Sequence, residues 1–321
     1  MKFLKLLIIN LLLLTVFACS ETQPFNNPYD PAVDPDDWAP TELTYTVIDV
    51  NSIKLDWVVN CNIEAGFIIE RKVNTGSWTI LADLASNTTT YTDNTVNDEN
   101  NFYYRIYAYV AEYTSSYSNE TTVVNICIDI DGNVYQTVMI GNQEWMAENL
   151  KVTHYRNGDA IPTGLSSSSW ANTTSGAYAV YNDNESYADT YGYLYNWYTV
   201  DDSRGIAPEG WHIASDEEWT ELTDYLGSNA GSQLAGRADL WYDGNLENNA
   251  AFGTSGFNGL PGGFRSSSGY YGYVSYSSYF WSSTVYSVAN AWNRLLNFLY
   301  SGVYRSSYTK RNGFSLRCVR D

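Results

Sequence analysis

Histidine and cysteine, the residues most often used in nucleophilic and metal chemistry, are scarce in this chain of 321 residues. The chain contains two histidines, His154 and His212, and four cysteines. A zinc centre or a cysteine–histidine nucleophile needs several such side chains held together. His212 lies between Trp211 and Ile213, a setting typical of a histidine satisfied by structural hydrogen bonds. We therefore expect no catalytic residue, no metal site and no cofactor.

One acidic motif has a spacing that suits metal binding. Asp129, Asp131 and Asn133 match the first three ligand positions of a calcium loop. The twelfth position is Ile140, which cannot supply the bidentate carboxylate of such a loop. The same residues with Gly132 also suit a tight hairpin turn that needs positive φ. The turn is the interpretation we favour.

Glu217 and Glu218 form a carboxylate pair of the kind used in general acid–base catalysis. Ser215 and Glu218 are also spaced as a capping box, and acidic residues are favoured in the first turn of a helix. Gly227 can end such a helix. Its apolar face comprises Trp219, Leu222, Tyr225 and Leu226. The sequence thus predicts a short capped helix, which explains both carboxylates without a catalytic role.

The distribution of charge sets the C-terminal region apart. The chain has 36 acidic and 17 basic residues, yet residues 248–320 contain no Asp or Glu. The basic residues in that stretch are Arg265, Arg294, Arg305, Lys310, Arg311, Arg317 and Arg320. We therefore expect a cationic binding surface on an otherwise acidic molecule, suited to an anionic or sugar-bearing partner. The net charge of −19 argues against nucleic-acid binding, which depends on neutralising phosphates.

The composition of this region favours a displayed binding surface. Residues 264–310 include 12 Ser and 9 Tyr, the mixture used by binding loops because Tyr supplies rigid contact area and Ser supplies adaptable hydrogen bonds. Exposed Tyr rings also stack on the faces of sugars. The partner is expected to be a protein or a glycan. The predicted ligand-binding residues are Tyr276, Tyr279, Tyr286, Asn297, Tyr300, Tyr304, Arg305, Ser306, Tyr308 and Lys310.

The N-terminal residues 1–19 have the pattern of an export signal, with two lysines followed by a short apolar run. The end of this segment, Val16-Phe17-Ala18-Cys19, resembles a bacterial lipobox, and Cys19 would then carry the lipid that holds the protein to a membrane. An ordinary cleaved signal is the alternative. Residues 20–39 are rich in Pro and Asp and predict an extended tether. We expect a lipoprotein of the bacterial cell envelope, exposed on the outer membrane.

Residues 40–124 alternate between apolar and polar side chains in short runs bounded by Asn, Gly and Ser. This pattern predicts an antiparallel β-sandwich. Trp57 and residues 104–108 resemble the core tryptophan and the sixth strand of a fibronectin type III domain, with Phe102 at the position of its tyrosine corner. The resemblance implies a spacer domain, in which Cys61 is a small buried residue.

An ordered series of motifs identifies residues 125–321 as similar to one family. The motifs are Asp129-Ile130-Asp131-Gly132-Asn133, Gln143-Glu144-Trp145-Met146-Ala147-Glu148-Asn149-Leu150, Gly210-Trp211-His212, Ser215-Asp216-Glu217-Glu218-Trp219, Leu260-Pro261-Gly262-Gly263, Phe280-Trp281-Ser282-Ser283-Thr284 and Gly313-Phe314-Ser315-Leu316-Arg317-Cys318-Val319. They resemble the Fibrobacter succinogenes major paralogous domain. That family is similar to the C-type-lectin-like fold, in which a small twisted sheet and two helices support long loops. The fold class expected is mainly β or α+β.

The resemblance also bears on cysteine pairing. Relatives often carry Cys where this chain has Ala207, so a partner for Cys318 within the domain would have to be Cys127. Two cysteines near the ends of one exported domain favour a disulfide that joins the first and last strands. Two buried thiols are the alternative.

The resemblance implies a secreted or surface protein with no established reaction. The calcium-dependent sugar-binding motifs of lectins are absent from the chain, and the reactive cysteine pair of formylglycine-generating enzymes is not matched. We expect a surface lipoprotein with a lectin-like ligand-binding domain. A passive structural or adhesive surface protein is the alternative, and a formylglycine-generating-like enzyme ranks third. Residues 290–312 resemble a segment diversified by retroelements, for which drift among paralogues is an equal explanation.

Overall fold

The computed structural model of the chain describes residues 33–49, 51–97, 100–123 and 126–321. The predicted export signal, Cys19 and most of the predicted tether lie outside the described residues. The last part of that tether is folded: Pro35–Trp38 form a 3-10 helix, and the side chains of Trp38 and Ala39 are buried. The packed N-terminal domain therefore begins before the predicted boundary at Pro40.

The N-terminal domain is a sandwich of two antiparallel sheets, as predicted. One sheet has the order β1-β2-β5, and the other has the order β4-β3-β6-β7 with β8 also paired to β6. This is the strand arrangement of a fibronectin type III domain. The strands are β1 (Thr41–Asp49), β2 (Ser52–Val58), β3 (Gly66–Val73), β4 (Thr79–Ala85), β5 (Thr90–Asp93), β6 (Phe102–Val110), β7 (Tyr113–Thr114) and β8 (Thr121–Val123).

The alternation of apolar and polar residues is realised most clearly in β6, where buried and half-buried side chains alternate along the whole strand. Trp57 and Tyr104 lie in the core, and Cys61 is buried there, as predicted. The hydroxyl of Tyr104 donates to the buried carboxylate of Asp93 at 2.9 Å, and Arg71 pairs with the same carboxylate at 2.7 Å. This one carboxylate therefore links both sheets.

The C-terminal domain is α+β, with two sheets and several short helices. Its strands are β9 (Ile126–Ile128), β10 (Val134–Ile140), β11 (Gln143–Met146), β12 (Tyr178–Ala179), β13 (Leu194–Asn196), β14 (Trp211–Ile213), β15 (Gly262–Arg265), β16 (Tyr271–Val274), β17 (Ser277–Val285), β18 (Asn290–Asn297), β19 (Tyr300–Thr309), β20 (Gly313–Phe314) and β21 (Cys318–Arg320). The helices are α1 (Ser167–Asn172), α2 (Ala188–Tyr191), α3 (Trp197–Val200), α4 (Asp216–Leu226) and α5 (Ala230–Leu234). The mainly β, α+β class is confirmed, whereas more than two helices are present in the described chain. None of the helices in the described residues has the length and apolar character needed to span a bilayer.

The two sheets of this domain meet over two C-terminal motifs, residues 280–284 and 313–319. The first has the order β14-β21-β11-β10-β9, and the second has the order β12-β13-β20-β15-β17-β18-β19, with β16 paired to β15. Phe280, Trp281, Phe314 and Leu316 are almost completely buried. Both C-terminal motifs therefore contribute strands to the core of the domain.

The predicted disulfide between Cys127 and Cys318 is not formed in the described structure. Cys127 lies on β9 and Cys318 on β21, and β10 and β11 stand between these two strands. Three strand spacings of about 4.8 Å place the two backbones about 14 Å apart, whereas the Cα atoms of a disulfide lie within about 7 Å. Both side chains are buried in the same apolar cluster, which is the alternative outcome.

Helix α4 confirms the predicted capping box. The Ser215 side chain accepts from the amide of Glu218, the Glu218 side chain accepts from the amide of Ser215, and Gly227 ends the helix with a φ of 75°. Trp219 and Leu222 are buried as expected, but Tyr225 is 68% exposed. The prediction for Tyr225 was wrong because its ring lies over Gly141 at the rim of the helix face instead of entering the core.

The acidic motif at the start of the domain forms the predicted hairpin turn between β9 and β10. Asp129 accepts hydrogen bonds from the amides of Asp131 and Asn133, and from the hydroxyl of Tyr135 at 2.6 Å. Gly132 has a φ of 81°, in the region that favours glycine. The Asp129 carboxylate is therefore occupied by the turn itself.

Candidate ligand-binding surface

The β18–β19 hairpin and the adjoining strand β17 carry most of the predicted site. Asn297 stands opposite Tyr300, so a two-residue loop joins the strands, and β19 is the edge of its sheet. Arg294 stands opposite Phe280 and Arg305, while Leu295 stands opposite Tyr279 and Tyr304. Because successive side chains of a strand point to opposite faces, the hairpin divides its residues between two surfaces. We call them the aromatic face (Tyr279, Leu295, Tyr300, Tyr304, Ser306 and Tyr308) and the arginine face (Trp292, Arg294, Leu296, Val303 and Arg305).

The aromatic face presents a row of tyrosines along the open edge strand. Tyr300, Tyr304 and Tyr308 are 44%, 44% and 39% exposed. The rings of Tyr300 and Tyr304 lie 4.7 Å apart, and the Tyr300 ring covers Gly302. Tyr300 stands opposite Asn297 and Tyr308 opposite Ala291, six residues away on β18, so the row extends over about 20 Å at a rise of about 3.3 Å per residue. The row therefore lies along the unpaired edge of the sheet.

At the Tyr308 end, the row continues into an aromatic cleft of about 240 Å³. The Tyr279 and Phe314 rings stack 4.9 Å apart at its floor, and Tyr308 stands edge-on to both. Burial raises the pKa of Tyr279 to about 12, so its hydroxyl stays neutral. The cleft is lined by Phe264, Tyr270, Tyr273, Tyr279, Tyr308, Asn312 and Phe314. No carboxylate, lysine or arginine is among these residues.

The far wall of the cleft is held by strained backbone. Tyr273 has a φ of 63°, in the left-handed region that non-glycine residues rarely occupy. Its ring stacks on Phe264 at 5.7 Å. On the paired strand, a Cβ at Gly263 would lie 2.3 Å from the carbonyl oxygen of Gly272, so only glycine permits this close approach of β15 and β16. Such strain is often found at functional sites.

The floor of the cleft rests on fixed polar contacts. The Trp281 ring packs 4.3 Å from Phe314, and its Nε1 donates to the carbonyl of Tyr195 at 3.0 Å. The Asn312 side chain accepts from the amide of Ser267 at 2.7 Å through Oδ1. These bonds hold the framework in one arrangement, so the cleft is formed before a ligand arrives.

The arginine face contacts helix α4. Arg294 is 2% exposed, and it donates to Asp216 Oδ1 at 2.6 Å and to the Asp216 carbonyl at 2.9 Å. Arg305 donates to both oxygens of the same carboxylate and lies 3.5 Å from the centre of the Trp292 ring. Burial opposes ionisation of Asp216, but hydrogen bonds from Arg305 and Arg294 hold its pKa below the ordinary value. This face attaches the hairpin to the domain.

The predicted cationic surface is wrong, because most of the basic side chains are buried, paired with a carboxylate or packed on an aromatic ring. Arg317 is completely buried and donates to Asn149 and to three carbonyls, and burial lowers its pKa to about 9. Arg265 is buried over Trp170 and donates to the Leu165 carbonyl. Arg320 pairs with Glu144 at 2.8 Å, and Lys310 lies 4.2 Å from the Trp197 ring. Arg311 remains exposed.

The structure brings together five of the ten predicted ligand-binding residues: Tyr279, Tyr300, Tyr304, Ser306 and Tyr308. Arg305 and Tyr286 belong to the opposite side of the hairpin, where Tyr286 stands edge-on to Trp292. Asn297 bonds to Ser277 and to the amide of Leu299, which makes it part of the turn. Tyr276 stacks on Tyr242 beside the hairpin loop, and Lys310 covers Trp197.

Sequence reasoning missed five of the seven residues that line the cleft. Tyr270 and Tyr273 lie in the Tyr- and Ser-rich run at residues 266–273. This composition predicts exposed side chains but does not indicate on which face of the domain they lie. Phe264 and Asn312 adjoin the motifs at residues 260–263 and 313–319, Phe314 lies within the second of these motifs, and none of the three has a separate signal. Their contribution depends on strand pairing between β15, β16 and β20, which local patterns do not reveal.

The one histidine near several carboxylates has a structural role. His212 contacts Glu218 through Nε2 and Asp321 through Nδ1, both at 2.7 Å. The hydrogen bond to Glu218 is the largest influence that raises the pKa of His212 to about 9. Burial opposes ionisation of Glu218, but the bonds from His212 and Ser215 lower its pKa to about 2. The arrangement is a charged clasp at the start of α4, and no group of three or more His, Cys, Asp or Glu within the described ranges is placed to hold a metal.

Comparison with known proteins gives one family assignment. A family model described as Fibrobacter succinogenes major domain matches residues 138–320, more than half of the chain. No curated protein sequence matches the chain significantly.

Among solved structures, a Fn3-like protein from Clostridium thermocellum aligns with 27% of this chain and 91% of its own, at 23% identity and a TM-score of 0.24. The FN3 domain of human collagen XX aligns with 26% of this chain and 86% of its own, at 12% identity and a TM-score of 0.24.

Proposed function

The chain belongs to the Fibrobacter succinogenes major domain family, and we propose that its C-terminal domain is a lectin-like ligand-binding module displayed on a bacterial cell surface. The N-terminal lipobox-like segment would anchor the protein to the outer membrane of the cell envelope, and the fibronectin type III-like domain would act as a spacer. Ligand capture, and not catalysis, is the proposed activity.

The observation that carries this proposal is the aromatic face. Exposed tyrosines in a row on an edge strand, continuous with a preformed aromatic cleft, make an apolar patch with hydroxyl groups at its surface. Exposed patches of this kind mark interaction sites on soluble domains. Tyrosine is also enriched among the residues that contribute most to binding.

The attachment of the hairpin supports the same proposal. The arginine face fixes β18 and β19 to α4 through Asp216, so the aromatic face is presented by a rigid element. A preformed site loses less conformational entropy when a ligand binds. The rings of Tyr300 and Tyr304 are therefore suited to repeated, specific capture.

The test is the double substitution Tyr300→Ala with Tyr304→Ala in the full chain, applied to an array of glycans and proteins. We expect the wild type to bind a saturating ligand and the double variant to lose that binding, with an unchanged circular dichroism spectrum. The matched control is Tyr225→Ala with Tyr286→Ala, which removes two exposed tyrosines outside the aromatic face and should bind as the wild type does. Binding that survives the first pair would contradict the proposal.

A second candidate is a passive adhesive protein, and the position of β19 favours it. An edge strand with exposed backbone groups can pair with another copy of itself, and β19 is ten residues long. This candidate predicts concentration-dependent self-association and no saturating ligand on the array. Sedimentation velocity over a range of protein concentrations distinguishes it from the first.

A further inference from the structure

From the charges and shape of the aromatic face we infer the class of ligand: a neutral polysaccharide chain, lying along Tyr300, Tyr304 and Tyr308 with one sugar ring in the cleft. The inference rests on the proposed function. Of the anionic or sugar-bearing partners that the sequence suggested, it keeps the sugar-bearing one and drops the negative charge.

The charges on this side of the hairpin exclude a strong preference for anions. The cleft lining contains no ionised group. Arg265, Arg294 and Arg317 are buried, and Arg305 is paired with Asp216 on the opposite face. Residues 248–320, which contain no Asp or Glu, are the acid-free stretch. Of the basic residues described in it, only Arg311 is both exposed and without an ion pair or ring contact. One exposed cation contributes little to binding in water, because its attraction is weak and screened by salt.

The shape of the face suits a chain of linked rings. The row of about 20 Å along β19 is longer than one monosaccharide, so it suits several linked sugar rings. Each tyrosine offers a flat apolar face for the C–H groups of a sugar and a hydroxyl for its oxygens. Within the described chain, the hydroxyls of Tyr300, Tyr304 and Tyr308 have no hydrogen-bond partner, so all three are available to a ligand.

The cleft completes the site with a position for a single ring. Its volume is about 240 Å³, whereas typical small-molecule pockets have volumes of about 300–1,000 Å³. The cleft therefore suits one sugar unit and not a whole drug-sized ligand. The Asn312 Oδ1 is held by Ser267, and its Nδ2 has no acceptor within the described residues. That amide group can donate to a sugar hydroxyl at the rim, while Tyr270 and Tyr273 close over the ring.

The experiment is native electrophoresis of the full chain in gels that contain one soluble polysaccharide each. The neutral probes are hydroxyethylcellulose, glucomannan and amylose, and the anionic probes are polygalacturonate and dextran sulfate. We expect at least one neutral probe to retard the protein and the anionic probes to leave it unretarded. Tyr304→Ala with Tyr308→Ala should weaken the retardation about tenfold, because two stacking contacts are lost.

Two controls separate the ligand class from the site. Arg311→Gln and a rise from 50 to 500 mM NaCl should leave retardation by the neutral probe unchanged, and Tyr225→Ala with Tyr286→Ala should behave as the wild type. Retardation by anionic probes alone, or a loss of retardation in Arg311→Gln, overturns the inference. So does a protein ligand on the array with no neutral polysaccharide bound, although a protein ligand lost in Tyr300→Ala with Tyr304→Ala still supports the proposed function. Retardation that is insensitive to every tyrosine of the aromatic face overturns both.

Discussion

The two faces of the β18–β19 hairpin are built from the same strands and differ in what their side chains contact. On the arginine face, Arg294 and Arg305 both pair with one carboxylate of helix α4, and this contact leaves neither of them available to a ligand. On the aromatic face, Tyr300, Tyr304 and Tyr308 pack against neighbouring rings and still remain 39–44% exposed to solvent. One face therefore supplies stability and the other supplies the surface for recognition.

The comparison also explains the charge pattern of the C-terminal region. A buried guanidinium has to be hydrogen-bonded, and a buried charge has to be paired or the structure is destabilised. The acceptors for Arg294 and Arg317 come from elements outside the acid-free stretch or from backbone carbonyls. Because residues 248–320 contain no Asp or Glu, the aromatic face carries no carboxylate. The arginines of the same stretch that are buried or paired do not make this face cationic.

The largest expected effect comes from removing the shared carboxylate of the arginine face. Asp216→Ala leaves Arg294 buried without its partner, and we expect a loss of about 3 kcal/mol in the free energy of unfolding of the C-terminal domain. Urea denaturation of the full chain, followed by tryptophan fluorescence, measures it as a lower midpoint of the corresponding transition. Asp239→Ala is the matched control, because its pair with Arg237 is exposed and should contribute little. Equal midpoints for the two variants would show that the arginine face does not stabilise the hairpin.

The division between the two faces was only partly readable from the sequence. The period of two places Tyr300, Tyr304, Ser306 and Tyr308 together and assigns Arg305 to the other side, yet composition alone had grouped all of them in one surface. Local patterns predicted more. The capping box of α4 lies within four consecutive residues, and both this box and the end of the helix at Gly227 were predicted. The ion pair between Asp216 and Arg294 joins residues 78 positions apart, and no local pattern predicts it.

The same reasoning accounts for the cysteines and bears on residues 290–312, for which diversification and drift among paralogues are equal explanations. A disulfide between the first and last strands assumes that these strands are neighbours, and the strand order places two others between them. Residues 290–312 include Ala291, Arg294 and Leu296, which are buried. Free variation is compatible with the outward positions of β19 and not with these core positions of β18.

A smaller effect is expected at the wall of the aromatic cleft, where Tyr273 has a φ of 63°. Glycine adopts this conformation without strain and alanine does not. Tyr273→Gly should therefore be about 1 kcal/mol more stable than Tyr273→Ala, although both lose the ring that stacks on Phe264. Thermal or urea unfolding of the two variants gives the difference, and binding of the neutral polysaccharide should be weakened in both. A Tyr273→Ala variant as stable as Tyr273→Gly would show that the cleft wall stores no backbone strain.

The smallest expected effect is a pH dependence of stability that the aromatic face does not share. The pKa of His212 is raised from 6.5 to about 9 by Glu218 and Asp321, so folding favours its protonated form. Its contribution to stability is complete below pH 6.5 and is lost as the pH rises through 9. The urea midpoint of the wild type should therefore fall between pH 6.5 and 9 by more than that of His212→Gln, which removes the proton-dependent contact. Subtracting the His212→Gln midpoints also cancels the decline that the buried Cys61 and Cys318 thiols, whose pKa values are raised, contribute near pH 9. Binding by the uncharged aromatic face should not change over the same range, and a parallel loss of binding and stability would mean that the charged clasp at α4 and the aromatic face are coupled.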